Sequence, residues 1–478
     1  MLDTVIIAVY LVAVLLLGHF FSGKNESVRD YFLAGKNMGW MMVGISVMVT
    51  SFSTLNFVSV TGEVFGFGLY VLLSVPMFFV VIYPVLKWFV PFYRGAEVSS
   101  AYEYLEKRFD KNVRTAASVM FIVWKIIWMA VSLYAAGIAL AAVSSFSLVS
   151  VILICGVTAL IYTVSGGMKA VMVTDMMQFF VIVISLAVIL FASVSNFKGG
   201  TGEIVQIAIS SGRLTPFHPF DSDIFSLSPN IRISLFSTFF GVAVAFLARY
   251  GVDQVTVQRY FTAKSEKDVK KAIILNAFAA TGVIVTVAVF GLILKAFSIS
   301  EGVSGTFPEV LRAFMNSLPA GIPGLFAAAL FAAMMSSIDS GINSCSSAFF
   351  TDILPVVSPK SSFTVKNARV VSLAIGLSAI LLAFPVGQLG PVFETVNKVI
   401  NGMGAPLLSL FVCGKVVKKI DSASALFGFV AGVVASIVVI STIKGVSLHY
   451  YAVVNFLMTT AFIFVIYLIK AGVKKIWF

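Results

Sequence analysis

The chain has 478 residues, of which 59% are hydrophobic and only 11% are charged. These proportions exclude an ordinary soluble globular protein, because such proteins carry about 25% charged residues. The formal net charge is +12, but the basic residues concentrate in alternate connections between apolar stretches, which indicates a membrane topology and not a nucleic-acid-binding surface.

Thirteen stretches are apolar and long enough to cross a bilayer, since a transmembrane helix needs about 20 mostly apolar residues. They lie at 3–21, 40–67, 70–92, 113–142, 147–165, 170–195, 232–256, 271–296, 320–352, 367–386, 389–413, 423–442 and 449–470. The sequence therefore predicts an all-α integral membrane protein that forms one transport domain, 1–478. Its environment is the lipid bilayer, and we expect the cell (inner) membrane.

The Lys and Arg residues predict the orientation. Most of them lie in alternate connections, including Arg259, Lys264 and Lys267 after span seven. By the positive-inside rule this side is cytoplasmic, which places the N-terminus outside and the C-terminus in the cytoplasm. An odd number of spans agrees with that orientation.

Span two is irregular. The run Met-Val-Thr-Ser-Phe-Ser-Thr-Leu-Asn at 48–56 places polar side chains at membrane depth. Irregular backbone is tolerated there only where it lines a cavity or is buried in protein. Span seven offers a counterpart, Ala-Arg-Tyr-Gly-Val-Asp-Gln at 248–254. A pair of broken helices five spans apart is typical of an inverted repeat that binds ion and substrate at the bilayer midplane.

The ninth span is rich in hydroxyl groups. One face of this helix carries Ala333, Ser336, Ser337, Ser340, Ser344 and Ser347. Oxygen ligands suit a small hard cation, and polar groups within the membrane indicate a functional site. The alternative is hydrogen bonding between helices, which is common for Ser in membrane bundles.

Asp175 is a carboxylate about a turn and a half into span six. An unpaired charge at membrane depth would cost several kcal/mol, roughly 2.5 to 3.5 kcal/mol on insertion scales. The residue is therefore a second candidate for cation binding. A structural role at the cytoplasmic end of its helix is the alternative.

Several motifs occur along the chain in one order. They are Asp-Tyr-Phe-Leu-Ala-Gly-Lys at 30–36, Ala-Tyr-Glu-Tyr-Leu-Glu-Lys-Arg-Phe at 101–109, Tyr-Thr at 162–163 with Gly-Gly at 166–167, Val-Thr-Asp-Met-Met-Gln at 173–178, Val-Gln-Arg-Tyr at 257–260 and the serine-rich ninth span. Taken together, they resemble the sodium:solute symporter family, which includes sodium/galactose, sodium/proline, sodium/sialic acid and sodium/monocarboxylate carriers.

The resemblance implies a leucine-transporter-like fold. An extra N-terminal helix at 3–21 would precede two inverted five-helix repeats, 40–195 and 232–413, and two C-terminal helices would occupy 423–470. It also implies a sodium ion held by the carbonyls of Val49, Phe52 and Ala333 and by the hydroxyls of Ser336 and Ser337. Sodium would be the coupling ion, and a monomer is the expected functional unit.

Some family members bind a further sodium ion through the matching aspartate and serines. Carried over, this second ion would involve Asp175, Ser336, Asp339 and Ser340. Asp339 departs from the sialic acid branch, which has a serine there. A second carboxylate could strengthen the cation site, carry a proton or pair with a lysine.

The substrate pocket should lie between the two helix breaks and spans three and eleven. The candidate substrate-binding residues are Ser51, Ser53, Asn56, Arg249, Gln254, Glu394 and Asn397. Sugar carriers place polar side chains where this chain has Val75 and approximately Ala280. The sialic acid branch uses an arginine where this chain has Trp128, with Lys125 nearby.

Arg249 makes a carboxylate-bearing solute the leading substrate class, because a guanidinium can bind a carboxylate in bidentate fashion. Monocarboxylates, amino acids and sialic acid-like solutes belong to this class. The alternative for Arg249 is an ion pair with Asp253, four residues on along a helix, or with Glu394.

The sequence therefore predicts a sodium-coupled symporter that imports a small organic solute by alternating access. A sodium-coupled sugar or polyol symporter and a proton-coupled carrier that uses Asp175 or Asp339 are alternatives, and a channel or sensor on the same fold is a third. We find no nucleophile elbow, P-loop or histidine cluster, so we expect no catalytic residues and no enzyme.

Overall fold

We describe the protein from a computed structural model. It describes residues 1–21, 26–95, 98–144, 146–214, 222–359, 364–389, 392–443, 447 and 449–476. Within this part of the chain the side chains of 222–223, 388–389, 392–402 and 473–476 are left undescribed.

Twenty α-helices follow one another in the described part of the chain. The first ten are α1 Leu2–Phe21, α2 Val28–Leu33, α3 Trp40–Ser51, α4 Thr54–Phe67, α5 Val75–Pro84, α6 Val90–Gly95, α7 Glu103–Arg108, α8 Lys111–Val143, α9 Leu148–Val194 and α10 Gly200–Ser210. The others are α11 Leu235–Gly251, α12 Gln254–Thr262, α13 Glu266–Ser300, α14 Phe307–Ser317, α15 Ile322–Ala348, α16 Leu354–Val357, α17 Val365–Ala383, α18 Val392–Val416, α19 Ser422–Thr442 and α20 Tyr450–Ile476. Among the described residues, β structure is limited to one isolated bridge between Met38 and Ala263.

Nine helical segments of the described chain are long and apolar enough to cross a membrane, and the number rises to eleven if each of two bent helix pairs counts as one span. A further apolar stretch, Met403–Val416, lies in α18. The all-helical membrane architecture agrees with the sequence. The count of thirteen spans and the orientation of the termini stay predictions.

The helix α9 is interrupted at Gly167. Its 47 residues correspond to about 70 Å at 1.5 Å per residue, more than twice the roughly 30 Å of the hydrocarbon core. Gly167 has φ 64° and ψ −159°, a backbone region that is essentially restricted to glycine. The break separates the two spans predicted at 147–165 and 170–195.

Tyr31 of α2 holds this break in place. Its hydroxyl donates to the carbonyl of Val164 at 3.1 Å and to that of Thr163 at 3.3 Å. A Cβ on Gly167 would lie 2.6 Å from the Tyr31 carbonyl oxygen. Two of the motifs in the sequence, at 30–36 and 166–167, are therefore in direct contact.

The two bent helix pairs contain the predicted breaks. The pair α3 and α4 bends by 59°, and the pair α11 and α12 bends by 45°. Phe52 leaves the helical conformation at the first break, with φ −106° and ψ 83°. At the second break the Asp253 carboxylate accepts the backbone N–H of Val255 at 2.9 Å, which caps α12. Each pair stands at the start of one predicted repeat, although the repeat boundaries themselves stay predictions.

The serine-rich helix α15 lies at the centre of the bundle. It packs against α1, α3, α8, α9 and α17. In the most apolar 18-residue stretch of the segment Ile322–Val357, 94% of the residues are buried inside the protein. Its hydroxyl groups therefore face other helices and not lipid. This placement makes so polar a helix compatible with a membrane.

Candidate functional site

The first break and the serine-rich helix meet at the predicted sodium site. The Ser336 hydroxyl donates to the Val49 carbonyl at 3.1 Å and to the Ala333 carbonyl at 3.2 Å. The Ser337 hydroxyl donates to the carbonyls of Ala333 at 3.3 Å and Thr50 at 3.4 Å. Four of the five predicted ligands thus lie together at the end of α3. All of them are buried.

Phe52, the fifth predicted ligand, lies at the break itself, where its N–H donates to the carbonyls of Met48 and Val49. Ser337 reaches the carbonyl of Thr50 and not that of Phe52. Carbonyl and hydroxyl oxygens without a net charge suit a monovalent cation that must also dissociate. The chemistry of this donor set fits sodium.

A buried polar cluster follows one turn further along α15. Its centre is Arg259 of α12, a residue that the sequence analysis counted as a cytoplasmic loop cation. That placement was wrong, because Arg259 has no solvent exposure. Its guanidinium lies 3.2 Å from the Asp175 carboxylate and donates to Ser46 at 2.7 Å and to Ser340 at 2.5 Å.

Three of the four residues predicted for a second sodium ion, Asp175, Asp339 and Ser340, belong to this cluster. Asp175 accepts from Ser46 at 2.5 Å in addition to its ion pair with Arg259. Asp339 accepts from the Tyr162 hydroxyl at 2.6 Å and from Ser340 at 3.0 Å. One oxygen of the Asp175 carboxylate is buried without a hydrogen-bond partner among the described residues. The structure thus brings Asp175, Asp339 and Ser340 together, around a guanidinium that the sequence did not predict.

An enclosed cavity of about 30 Å³ lies between the two helix breaks. Four of the predicted substrate residues line it: Ser51, Ser53, Asn56 and Arg249. A neighbouring cavity of about 140 Å³ is also lined by Ser51, Asn56 and Arg249. The break of α3 and α4 therefore borders both the predicted sodium site and this cavity.

The other three predicted substrate residues are placed differently. The Gln254 side chain accepts the backbone N–H of Ala101 at 2.7 Å and is not among the residues that line the enclosed cavity. The side chains of Glu394 and Asn397 lie outside the described residues. Gln254 therefore links α12 to the segment before α7.

Arg249 does not form the ion pair with Asp253 that the sequence left open. Its guanidinium lies 5.7 Å from the centre of the Phe246 ring, and within the described part of the chain it has neither a hydrogen bond nor an ion pair. The two residues are four positions apart but do not share a helix, because α11 ends at Gly251 and Asp253 lies beyond the break. A cation therefore faces the cavity without a described counter-ion.

Asp253 instead pairs with Lys125 of α8, at 2.6 Å. Both side chains are buried and line the enclosed cavity, as do Trp124 and Trp128. Lys125 was noted from the sequence, but neither Lys125 nor Asp253 was predicted to belong to the substrate site. The available signal was the pair Trp124 and Trp128, one helical turn apart on α8, with Lys125 directly after Trp124.

A family model described as the sodium:solute symporter family matches residues 31–432. The sodium/sialic acid symporter NanT of Aliivibrio fischeri is 28% identical over 96% of this chain and 91% of its own length. The sodium-dependent multivitamin transporter of Oryctolagus cuniculus is 32% identical over 91% of this chain and 69% of its own length.

The fold agrees with that of a solved transporter. A sodium-coupled sialic acid symporter, determined in a substrate-bound, outward-open state with a novel sodium site, superposes with a TM-score of 0.88 and 26% identity over 98% of both chains. These relatives are transporters and not enzymes, and sodium is the coupling ion. From its sequence match and its fold, this multi-pass membrane protein belongs to the sodium:solute symporter family.

Proposed function

We propose that this symporter imports a carboxylate-bearing solute together with sodium by alternating access. The observation that carries the proposal is Arg249, whose guanidinium lines the enclosed cavity beside Ser51, Ser53 and Asn56. A carboxylate satisfies a guanidinium in bidentate fashion. A sugar or polyol offers only neutral hydroxyl groups, which cannot balance that charge.

Sodium and solute would share one structural element. The break after α3 supplies Val49 and Thr50 carbonyls to the serine pair of α15. The same break supplies Ser51 and Ser53 to the enclosed cavity. An ion that holds this break in one conformation also fixes the groups that contact the solute, so each ligand raises the affinity for the other. This arrangement supports the sodium site at Val49, Phe52, Ala333, Ser336 and Ser337.

We also propose a second cation at Asp175, Asp339 and Ser340. Among the described residues of this cluster, two carboxylates face one guanidinium. A cation at Asp339 would balance the remaining negative charge. Because Arg259 already contacts Asp175 and Ser340, Asp339 would contribute most to the binding of this ion.

We propose that the route on the cytoplasmic side passes through a larger cavity. A cavity of about 730 Å³ is lined by Arg29, Lys36 and Arg94, which lie in connections predicted to be cytoplasmic. Basic side chains there favour an anionic solute. We propose a monomer as the functional unit. We place the protein in the cell (inner) membrane, by analogy with its bacterial relative.

Variants of Arg249 test the substrate class in proteoliposomes. The assay measures uptake of pooled labelled monocarboxylates, amino acids, sialic acids and sugars with sodium outside. Arg249→Ala should lower uptake of the acid that the parent transports by at least tenfold, because the solute carboxylate loses a hydrogen-bonded charge partner worth about 1.5–3 kcal/mol. Arg249→Lys should retain part of it. Sodium binding should survive in both.

Arg312→Ala is the matched control. Arg312 donates to the backbone carbonyls of Ala141 and Ala142 and does not line the cavity. Its uptake should equal that of the parent. Uptake by Arg249→Ala at the parental rate, or parental uptake confined to the sugar pool, would show that the carboxylate assignment is wrong.

A further inference from the structure

We propose that Lys125 is a second carboxylate-binding residue and that Asp253 is its internal counter-ion until a solute enters. On this proposal the solute carboxylate replaces Asp253 at the Lys125 ammonium and is shared with Arg249. The inference rests on the proposed function, because it assumes that a carboxylate occupies the cavity. It adds a recognition residue on α8 and a limit on the charge of the solute.

The surroundings of the Lys125 side chain favour a positive charge. Its ammonium lies 2.6 Å from Asp253. It also lies 4.1 Å from the ring centre of Trp124, 4.8 Å from that of Trp128 and 6.0 Å from that of Phe121. Aromatic faces attract a cation at such distances. The ammonium would therefore remain favourable at this place while its carboxylate partner changes.

The side chains of Lys125 and Asp253 differ in conformational freedom. One oxygen of Asp253 caps α12 through the Val255 N–H at 2.9 Å, and the other contacts Lys125. This carboxylate is fixed by the helix break. Lys125 carries a compact charge on a flexible four-carbon stem. A small rotation of the stem can therefore move the ammonium from the fixed Asp253 carboxylate to the carboxylate of a bound solute.

The charges around the cavity limit the solute. The described lining residues include two cations, Lys125 and Arg249, and one anion, Asp253. One added negative charge balances this set, whereas two would exceed it. Trp124 and Trp128 line the same cavity and can contact an apolar or planar body. The charges therefore favour a monocarboxylate over a dicarboxylate, and the rest of the solute would extend into the neighbouring cavity of about 140 Å³, which Arg249 also lines.

Opposite effects of two substitutions test this inference. Asp253→Asn keeps an N-cap residue but removes the internal counter-ion, so the Kd for the acid should fall about tenfold, equivalent to roughly 1.4 kcal/mol. Lys125→Met should raise the Kd tenfold or more, and Lys125→Arg should recover most of the loss. Binding is measured by calorimetry on purified full-length protein in sodium, with lactate, nicotinate and sialic acid as probes.

Each acid is compared with an uncharged form: lactamide, nicotinamide or the sialic acid methyl ester. The Asp253→Asn gain should be absent for these forms. Lys295→Met is the matched control, since the Lys295 ammonium also lies over an aromatic ring, that of Phe65 at 5.2 Å, but outside the enclosed cavity. Its Kd values should equal those of the parent.

The outcomes separate the two proposals. If the parent binds an acid but Asp253→Asn binds it equally or more weakly, the ion pair is only structural and the inference is overturned. If Asp253→Asn does not fold, Lys125→Arg and Lys125→Met decide, because equal losses in both would overturn the inference as well. If the parent binds none of the acids in sodium, the proposed carboxylate function itself is wrong.

Discussion

Arg259 shows how much one buried side chain can organise. Its guanidinium contacts Ser46 of α3, Asp175 of α9 and Ser340 of α15, while it also donates to the Val255 carbonyl of its own helix. Neither Arg259 nor Asp175 is exposed. The residue therefore joins four helices beside the proposed sodium site. Removing either partner would leave the other as an uncompensated charge in the interior.

This ion pair predicts a non-additive effect on stability. Arg259→Met and Asp175→Leu should each lower the free energy of unfolding by about 3–5 kcal/mol, because each leaves one buried charge unpaired. The double substitution should lose less than either alone. Thermal unfolding of purified protein in detergent measures the effect. Additive losses in the double variant would mean that the two side chains act independently.

The sequence could not reveal this pair. Arg259 precedes Lys264 and Lys267, so its position in the chain is typical of a cytoplasmic connection. Its partner Asp175 lies 84 residues away, and Lys125 and Asp253 are likewise far apart in sequence. By contrast, the hydroxyl face of α15 follows from helical periodicity alone, because that pattern is local. Local patterns therefore predicted single faces, and the pairing across helices required the fold.

At the scale of elements, breaks in the helices position the chemistry. The breaks within the pairs α3/α4 and α11/α12 were predicted from polar residues at membrane depth, and the structure confirms both bends. The interruption of α9 was anticipated only as a gap between two predicted spans. Its cause, the backbone of Gly167 packed against Tyr31, depends on a contact between distant segments.

Gly167→Ala should destabilise the protein strongly. The backbone conformation at this position costs a non-glycine residue about 1–3 kcal/mol, and the new Cβ would lie 2.6 Å from the Tyr31 carbonyl. The midpoint of thermal unfolding in detergent should fall. Gly282→Ala in α13 is the control, because nothing lies within 4 Å of its added Cβ. A Gly167→Ala protein as stable as this control would contradict the role of the break.

On the proposed function, the whole molecule would couple two ligands through one break. Ser336 and Ser337 of α15 contact the end of α3. The residues that follow α3 line the enclosed cavity. A ligand can shift a conformational equilibrium only as far as its affinity differs between the states. Sodium would therefore drive uptake if the conformation that joins α3 to α15 is also the conformation that accepts the solute.

Uptake into proteoliposomes under an imposed inward sodium gradient tests this account most directly, with the parent, Ser337→Ala and Ser346→Ala compared. Ser346 is the matched control on the same helix, since its hydroxyl donates only to the Ile342 carbonyl among the described residues. We expect sodium-dependent uptake in the parent and in Ser346→Ala, and at least a tenfold loss, about 1.4 kcal/mol, in Ser337→Ala. Parental sodium dependence in Ser337→Ala, or uptake that ignores sodium and follows a proton gradient, would contradict the account.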